Sequence, residues 1–259
     1  MENPERYEYK FLLNQEQRSA LLESLAHELL PDTHGGSEGW YPIVSLYYDT
    51  PDLKCFWENW RDISSRRKMR VRFYGSKDGI IAPTSFIEIK HKAYGRGVKR
   101  RVQTTLENAL ALARGETVEG DFTHAERTTL AEVKNLVETE GFRPSILMRY
   151  HRYAYFLHSP EVEPSKRLRV TFDDSIAARF DHFTPETDDR NFADYILPEG
   201  HCIMELKGSE PVPLNFTHTL TQLKLAPRPF SKYLAGIRLG QTKLQPQPTP
   251  PLSYATSPR

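Results

Sequence analysis

Three short motifs repeat along the chain: Glu8-Tyr-Lys10, Glu88-Ile-Lys90 and Glu205-Leu-Lys207. Side chains two apart on a β-strand share a face. Each motif therefore sets a carboxylate beside an ammonium. A carboxylate is a ligand for a hard cation, and an ammonium meets a phosphate oxygen. The same spacing recurs among cations. Arg66, Lys68, Arg70 and Arg72 alternate with Met69, Val71 and Phe73; Lys99 and Arg101 with Val98 and Val102; Arg167 and Arg169, followed by Thr171 and Asp173, with Leu168, Val170 and Phe172. Arg6, Glu8 and Lys10 oppose Tyr7, Tyr9 and Phe11, and Arg149 shares a face with His151 and Tyr153. An antiparallel sheet often has one wet, charged face. These faces are unusual in carrying mostly Lys and Arg in place of Thr, Ser and Gln. If they point inward, their mutual repulsion requires a counter-charge, and a phosphate chain with a divalent metal supplies one.

The elements that must position these residues follow from pattern. Alternation predicts strands at 6–13, 41–49, 66–75, 85–91, 98–106, 146–157, 167–172, 176–180 and 202–207. Helices are predicted at 15–30 behind the cap Asn14, in a short stretch after Pro51, over 106–139 with a break near 115–121, and at 215–223 and 230–237. Gly-rich turns fall at 75–79 and 93–97. The fold class is α+β: an antiparallel eight-stranded β-barrel, polar within, its apolar outside covered by flanking helices. We expect one domain over 1–242 and a disordered Pro-rich tail over 243–259. Asp173-Asp174 reads as a turn after a strand, and the Trp57/Trp60 pair as core.

The chain has 259 residues, 27% charged, with a formal net charge of +1. That balance argues against a general nucleic-acid or membrane-surface binder. Cys55 and Cys202 form neither a disulfide framework nor a metal-ligand spacing, and they read as buried thiols. No signal core and no run long enough to span a bilayer is present, so the expectation is a cytoplasmic protein without membrane insertion. P-loop and His-Glu-x-x-His motifs are absent.

Taken in order, Arg6-Tyr-Glu-Tyr-Lys10, Ser45-Leu-Tyr-Tyr-Asp-Thr50, Met69-Arg-Val-Arg-Phe-Tyr-Gly75, Phe86-Ile-Glu-Ile-Lys90, Val98-Lys-Arg-Arg101, Leu147-Met-Arg-Tyr150, Leu168-Arg-Val-Thr-Phe-Asp173, Ile203-Met-Glu-Leu-Lys207 and Phe230-Ser-Lys232 resemble the polyphosphate polymerase domain of the vacuolar transporter chaperone (VTC) type, within the triphosphate tunnel metalloenzymes. The resemblance implies a tunnel in which the ATP γ-phosphoryl group passes to a growing polyphosphate chain, with Mn²⁺ or Mg²⁺. It also implies roles. Lys10, Arg70, Arg72, Lys90, Lys99, Arg149 and Arg169 would line the tunnel, with Lys207 and Lys232 as further phosphate contacts. Arg101 is admitted on facing grounds, and Arg152 competes with Arg149 for the inward position. Glu205 would hold the metal, helped by Glu8 and Glu88, and Arg70, Arg72, Lys90 and Glu205 would carry catalysis. Hydrolytic relatives tend to place a glutamate where Arg6 stands, which tilts the reading toward polymerisation. A triphosphatase of the same fold and a non-catalytic polyphosphate or nucleotide sensor are the alternatives. Relatives elsewhere carry a membrane segment, so the resemblance also implies a membrane-bound partner protein.

Overall fold

The computed structural model describes residues 7–76, 78–94, 96–158, 162–163, 166–187 and 191–244. Arg6 and the tail from 245 onward lie outside the described residues. The strands are β1 (Tyr7–Leu13), β2 (Leu29–Pro31), β3 (Trp40–Asp49), β4 (Ser65–Gly75), β5 (Ile81–Ala93), β6 (Arg96–Thr104), β7 (Arg143–Leu157), β8 (Arg169–Arg179), β9 (Asp194–Tyr195) and β10 (Cys202–Gly208). The helices are α1 (Gln15–Ser24), α2 (Lys54–Trp60), α3 (Leu106–Leu112), α4 (His124–Glu138), α5 (Leu214–Gln222) and α6 (Lys232–Leu244), with a 3-10 turn at Thr33–Glu38.

All the strands join one antiparallel sheet, ordered β1-β10-β8-β7-β3-β4-β5-β6, with β2 added to β7 and β9 to β8. The expected barrel is not closed: among the described residues no ladder joins β1 to β6. The free edge of β1 is taken instead by the chain leading into α6, where the Arg228 N–H donates to the Lys10 carbonyl at 2.8 Å. The edge strand β6 is flanked by α4, where Arg100 pairs with Glu132. The sheet nevertheless curls far enough for side chains of β1 and β6 to line one cavity.

The convex face is apolar. Met69, Val71, Ile87, Ile89 and Val102 pack against Ala109, Leu112, Val133 and Leu136 of α3 and α4. Phe11, Phe172, Met204 and Leu206 pack against Leu21 of α1 and Phe216 and Leu220 of α5. Full burial of each such side chain contributes about 1.5–3 kcal/mol. This cladding forces the charged faces inward.

Three departures bear on the site. The first helix ends at Ser24, and Leu29–Pro31 pairs with Tyr155–Leu157 as a strand. The two tracts read around 167–180 are one strand, β8, continuous through Ser175 at φ 48°. A register shift against β7 between Arg149 and His151 absorbs the extra residue. Asp173 and Asp174 are thus strand residues rather than a turn. Finally, α6 does not clad the outside. It sits against the concave face, where Tyr233 meets the Tyr47 ring at 5.3 Å. A Cβ on Gly236 would fall 2.5 Å from Ile146 Cδ1, so a larger residue here would require that side chain to shift. Asp49, fully buried, locks the arrangement: it accepts from the backbone N–H groups of Cys55 and Phe56 and from the Tyr233 hydroxyl. Trp57 and Trp60, expected in the core, are both exposed.

Candidate phosphate-binding tunnel

The curled sheet encloses a cavity of about 410 Å³, lined by nine cations and three carboxylates. Its two walls differ. On one, β1 faces β10 with charges matched: Glu8 opposite Lys207, and Lys10 opposite Glu205. On the other, Lys68 of β4, Lys90 of β5 and Lys99 of β6 stand directly opposite one another across three strands. Like charges placed opposite in a ladder repel. Burial first, then the neighbouring Lys90, Lys10 and Arg66, push the Lys68 ammonium down to about 7. Burial likewise brings Lys99 to about 8, even against the pull of Glu88. Lys90 is lowered too, by burial and nearby cations.

The carboxylates are committed to cations. Burial would raise the Glu205 carboxyl, but Lys232, Lys207, Lys10 and Arg152 hold it well below the usual range. Its oxygens lie 2.7 Å from Lys207 Nζ, 3.5 Å from Lys232 Nζ and 3.6 Å from Lys10 Nζ. Glu88 accepts from Arg70 Nε at 2.6 Å and pairs with Lys99; these cations and Arg72 overcome burial and hold it at about 2. Arg72 is nearly buried and donates to Ser45 Oγ at 3.2 Å and to the Tyr150 hydroxyl at 3.1 Å. Among the described residues, Arg72, Lys68 and Lys90 each lack a carboxylate partner. Behind the cavity Asp173, fully buried, accepts from Arg152 Nε at 2.6 Å and Nη2 at 2.7 Å, and holds Lys232 Nζ at 2.5 Å.

The cavity thus brings together Lys10, Arg70, Arg72, Lys90, Lys99, Lys207, Lys232, Glu8, Glu88 and Glu205. Three anticipated residues lie outside its lining. Arg149 falls on the opposite face of β7, where its Nε donates to the Thr187 carbonyl at 2.6 Å; its competitor Arg152 takes the inward position with Tyr150. Arg169 shares the tunnel face but is drawn to Asp32, at 3.1 Å, by the segment ahead of the 3-10 turn. Arg101, on the edge strand, is exposed and lies over the Phe86 ring. The lining also includes Lys68, which alternation places beside Arg70, and Tyr47, Tyr150 and Ser231, whose types carry no such signal.

The three glutamates do not converge: among the described residues no group of three or more acidic, His or Cys side chains is placed to hold a metal. Glu8 and Glu205, however, flank the same two lysines, Lys10 and Lys207. Mg²⁺ is commonly held by one or two carboxylates plus substrate phosphates. Glu8 and Glu205 are the carboxylates that would hold a divalent ion in that manner, in exchange for part of their pairing with Lys10 and Lys207.

The lysine row makes a pH prediction. An anion beside Lys68 favours its charged form, so binding must take up a proton above pH 7. Tripolyphosphate affinity should fall as pH rises from 7 to 9. Calorimetry at pH 8 in buffers of different ionisation heat should show uptake of about one proton, reduced in Lys68→Met. Proton release, or none, would count against this picture. The ligand-free protein has the opposite trend. The unfolded state holds the Lys68 proton more tightly, so this group adds stability as pH rises from about 7 to about 10.

An open antiparallel sheet curled about a cationic cavity, with paired carboxylate–lysine motifs on its wall, defines a tunnel-fold protein built for phosphate compounds. The chain belongs to the VTC domain family, whose model matches residues 5–240. No curated protein matches it. Among solved structures it is similar to a candidate adenylate cyclase of Bacillus halodurans, at 12% identity and TM-score 0.48, covering 86% of this chain and 92% of that one. A second, from Vibrio parahaemolyticus, has 12% identity and TM-score 0.43, covering 90% and 98%. No helix among the described residues is long and apolar enough to cross a membrane.

Proposed function

We propose that the chain is a metal-dependent polyphosphate polymerase, transferring the γ-phosphoryl group of ATP to the end of a growing polyphosphate chain. The observation that carries this reading is the set Lys68, Lys90 and Arg72, which among the described residues form no ion pair with a carboxylate, on the wall of a tunnel in a VTC-family chain. A terminal oxygen of the acceptor chain attacks the γ-phosphorus, and the bond to the β–γ bridging oxygen breaks, releasing ADP. Both partners are anions, so the work is positioning and charge neutralisation. Arg72 and Arg70 offer planar forks for phosphate oxygens, and the lysines supply point charges. A divalent ion held through Glu205 and Glu8 would add charge neutralisation at the phosphates.

Hydrolysis is the less favoured reading. Water needs a base: the carboxylates lining the cavity are poor ones, with Glu88 at about 2 and Glu205 well below the usual range, which leaves that task to Lys68 or Lys99, groups the substrate's own charge would keep protonated. A phosphate terminus is already ionised and needs none. ATP as donor fits work in the cytoplasm, and any export of polymer would fall to a membrane-bound partner. Incubation with ATP and Mn²⁺, with products resolved by length, tests the proposal. Chain growth supports it. ADP and free phosphate without chain growth would assign a triphosphatase, and binding without turnover a sensor.

A further inference from the structure

Helix α2 and the turn after it present an aromatic surface that the tunnel does not use. Trp57, Trp60 and Ile63 are 41%, 52% and 44% exposed. Phe56 is buried beneath the indoles, edge-on to Trp57 at 5.0 Å and stacked with Trp60 at 6.1 Å. Two guanidiniums lie over the same rings: Arg61 at 5.6 Å from Trp57, and Arg238 of α6 at 4.9 Å from Trp60. Indoles and guanidiniums donate hydrogen bonds and accept none. The surface therefore fits a segment that is apolar, rich in acceptors and poor in positive charge. Such a segment follows α6. Residues 245–259 lie outside the described residues, but their sequence holds five prolines and no Lys, Asp or Glu, with Arg259 as the sole charged side chain. Proline has no N–H, so Pro246-Gln-Pro-Thr-Pro-Pro251 offers carbonyl acceptors with few donors. Pro-rich segments favour the polyproline II form, lose little entropy on binding and dock in aromatic-lined grooves. The reach suffices. Arg238 stands six residues before Leu244, about 9 Å back along α6. Residues 245–251 span about 22 Å as polyproline II.

We propose that the chain's own Pro-rich segment docks on this surface, its prolines across Trp57 and Trp60 and its carbonyls toward Arg61 and Arg238. The test uses the full chain carrying Trp40→Phe, so that tryptophan emission comes from Trp57 and Trp60 alone. Serine in place of Pro246, Pro248, Pro250 and Pro251 changes none of the described residues. It should raise acrylamide quenching of the two indoles. A tethered segment is present at about 1 mM effective concentration, so a peptide of residues 245–259 that binds the serine variant with a Kd of about 0.1 mM should bind the proline-containing chain about tenfold more weakly. Trp60→Ala in the serine variant should abolish peptide binding. The comparison of the proline and serine chains stands even if that variant folds poorly. Quenching that is the same in both chains, or a peptide that binds both equally or neither, overturns the proposal. So does a blue shift of the indoles on anionic vesicles in the proline-containing chain, which would assign the surface to a membrane. A dimer lost in Trp60→Ala would assign it to a second copy and overturn the proposal equally.

Discussion

Replacing Arg72 by alanine should lower phosphoryl transfer by about 10²–10³-fold or more, while the chain still folds. Arg72 is the strongest single candidate because, although its charge acts on Glu88, no carboxylate pairs with its guanidinium directly. Arg70 is tied to Glu88, and Arg152 to Asp173. The hydrogen bonds of Arg72 go to neutral groups, Ser45 and Tyr150, which aim its guanidinium. Donors fixed before the reaction stabilise developing charge at no cost of reorganisation. Removal strands two buried hydroxyls at a cost of about 1–3 kcal/mol, partly offset by relief of repulsion from the neighbouring cations. Melting should therefore shift by only several degrees. Arg72→Lys keeps the charge but not the fork, so it should recover part of the rate. Chain-length-resolved assays with saturating ATP, beside thermal melts, provide the check. An Arg72→Ala enzyme within tenfold of wild type would remove Arg72 from the machinery.

Much of this arrangement was legible in alternation. The faces of β1, β4, β5 and β10 were assigned residue by residue from period two, because a buried apolar face on one side dictates the other. Lys10, Arg70, Lys90 and Glu205 follow directly. The failures share a different cause: they depend on what lies across a strand or behind it. On β7, period two separates Arg149 from Arg152 but does not say which face is concave. Arg169 has the expected face, yet Asp32, far away in sequence, draws it out of the cavity. Asp173 resembled a turn residue because two acids followed an apolar strand; β8 instead runs on through Ser175. The barrel is not closed among the described residues, and the segment before α6 bonds to the edge of β1 at Lys10. None of these contacts leaves a local mark in the chain.

Asp173 shows what such hidden contacts are worth, and its removal should produce the largest loss of stability. It is fully buried and neutralises Arg152 and Lys232, which also converge on Glu205. Asp173→Asn retains the shape but leaves two largely buried cations facing a single carboxylate. Breaking a buried pair from one side costs about 3–5 kcal/mol. For a chain of this size that corresponds to a fall in melting temperature of roughly 6–20 °C. Burial alone would raise the Asp173 carboxyl, but Arg152 and Lys232 lower it. Its contribution is therefore present above about pH 4 and lost as pH falls through the lowered value; Asp173→Asn should flatten that acid limb of the stability curve. Two further measurements separate an electrostatic loss from a packing loss. Tripolyphosphate should recover more stability in Asp173→Asn than in the wild type, because the ligand supplies the missing counter-charge. Lys232→Met in the same chain should restore part of the loss, since it removes one stranded cation. If tripolyphosphate stabilises both proteins equally and the second substitution only adds to the damage, Asp173 is a packing residue. If both recoveries occur, the tunnel's cations are poised by a carboxylate that never enters it, and the ligand-free protein stands close to the limit of positive charge it can hold.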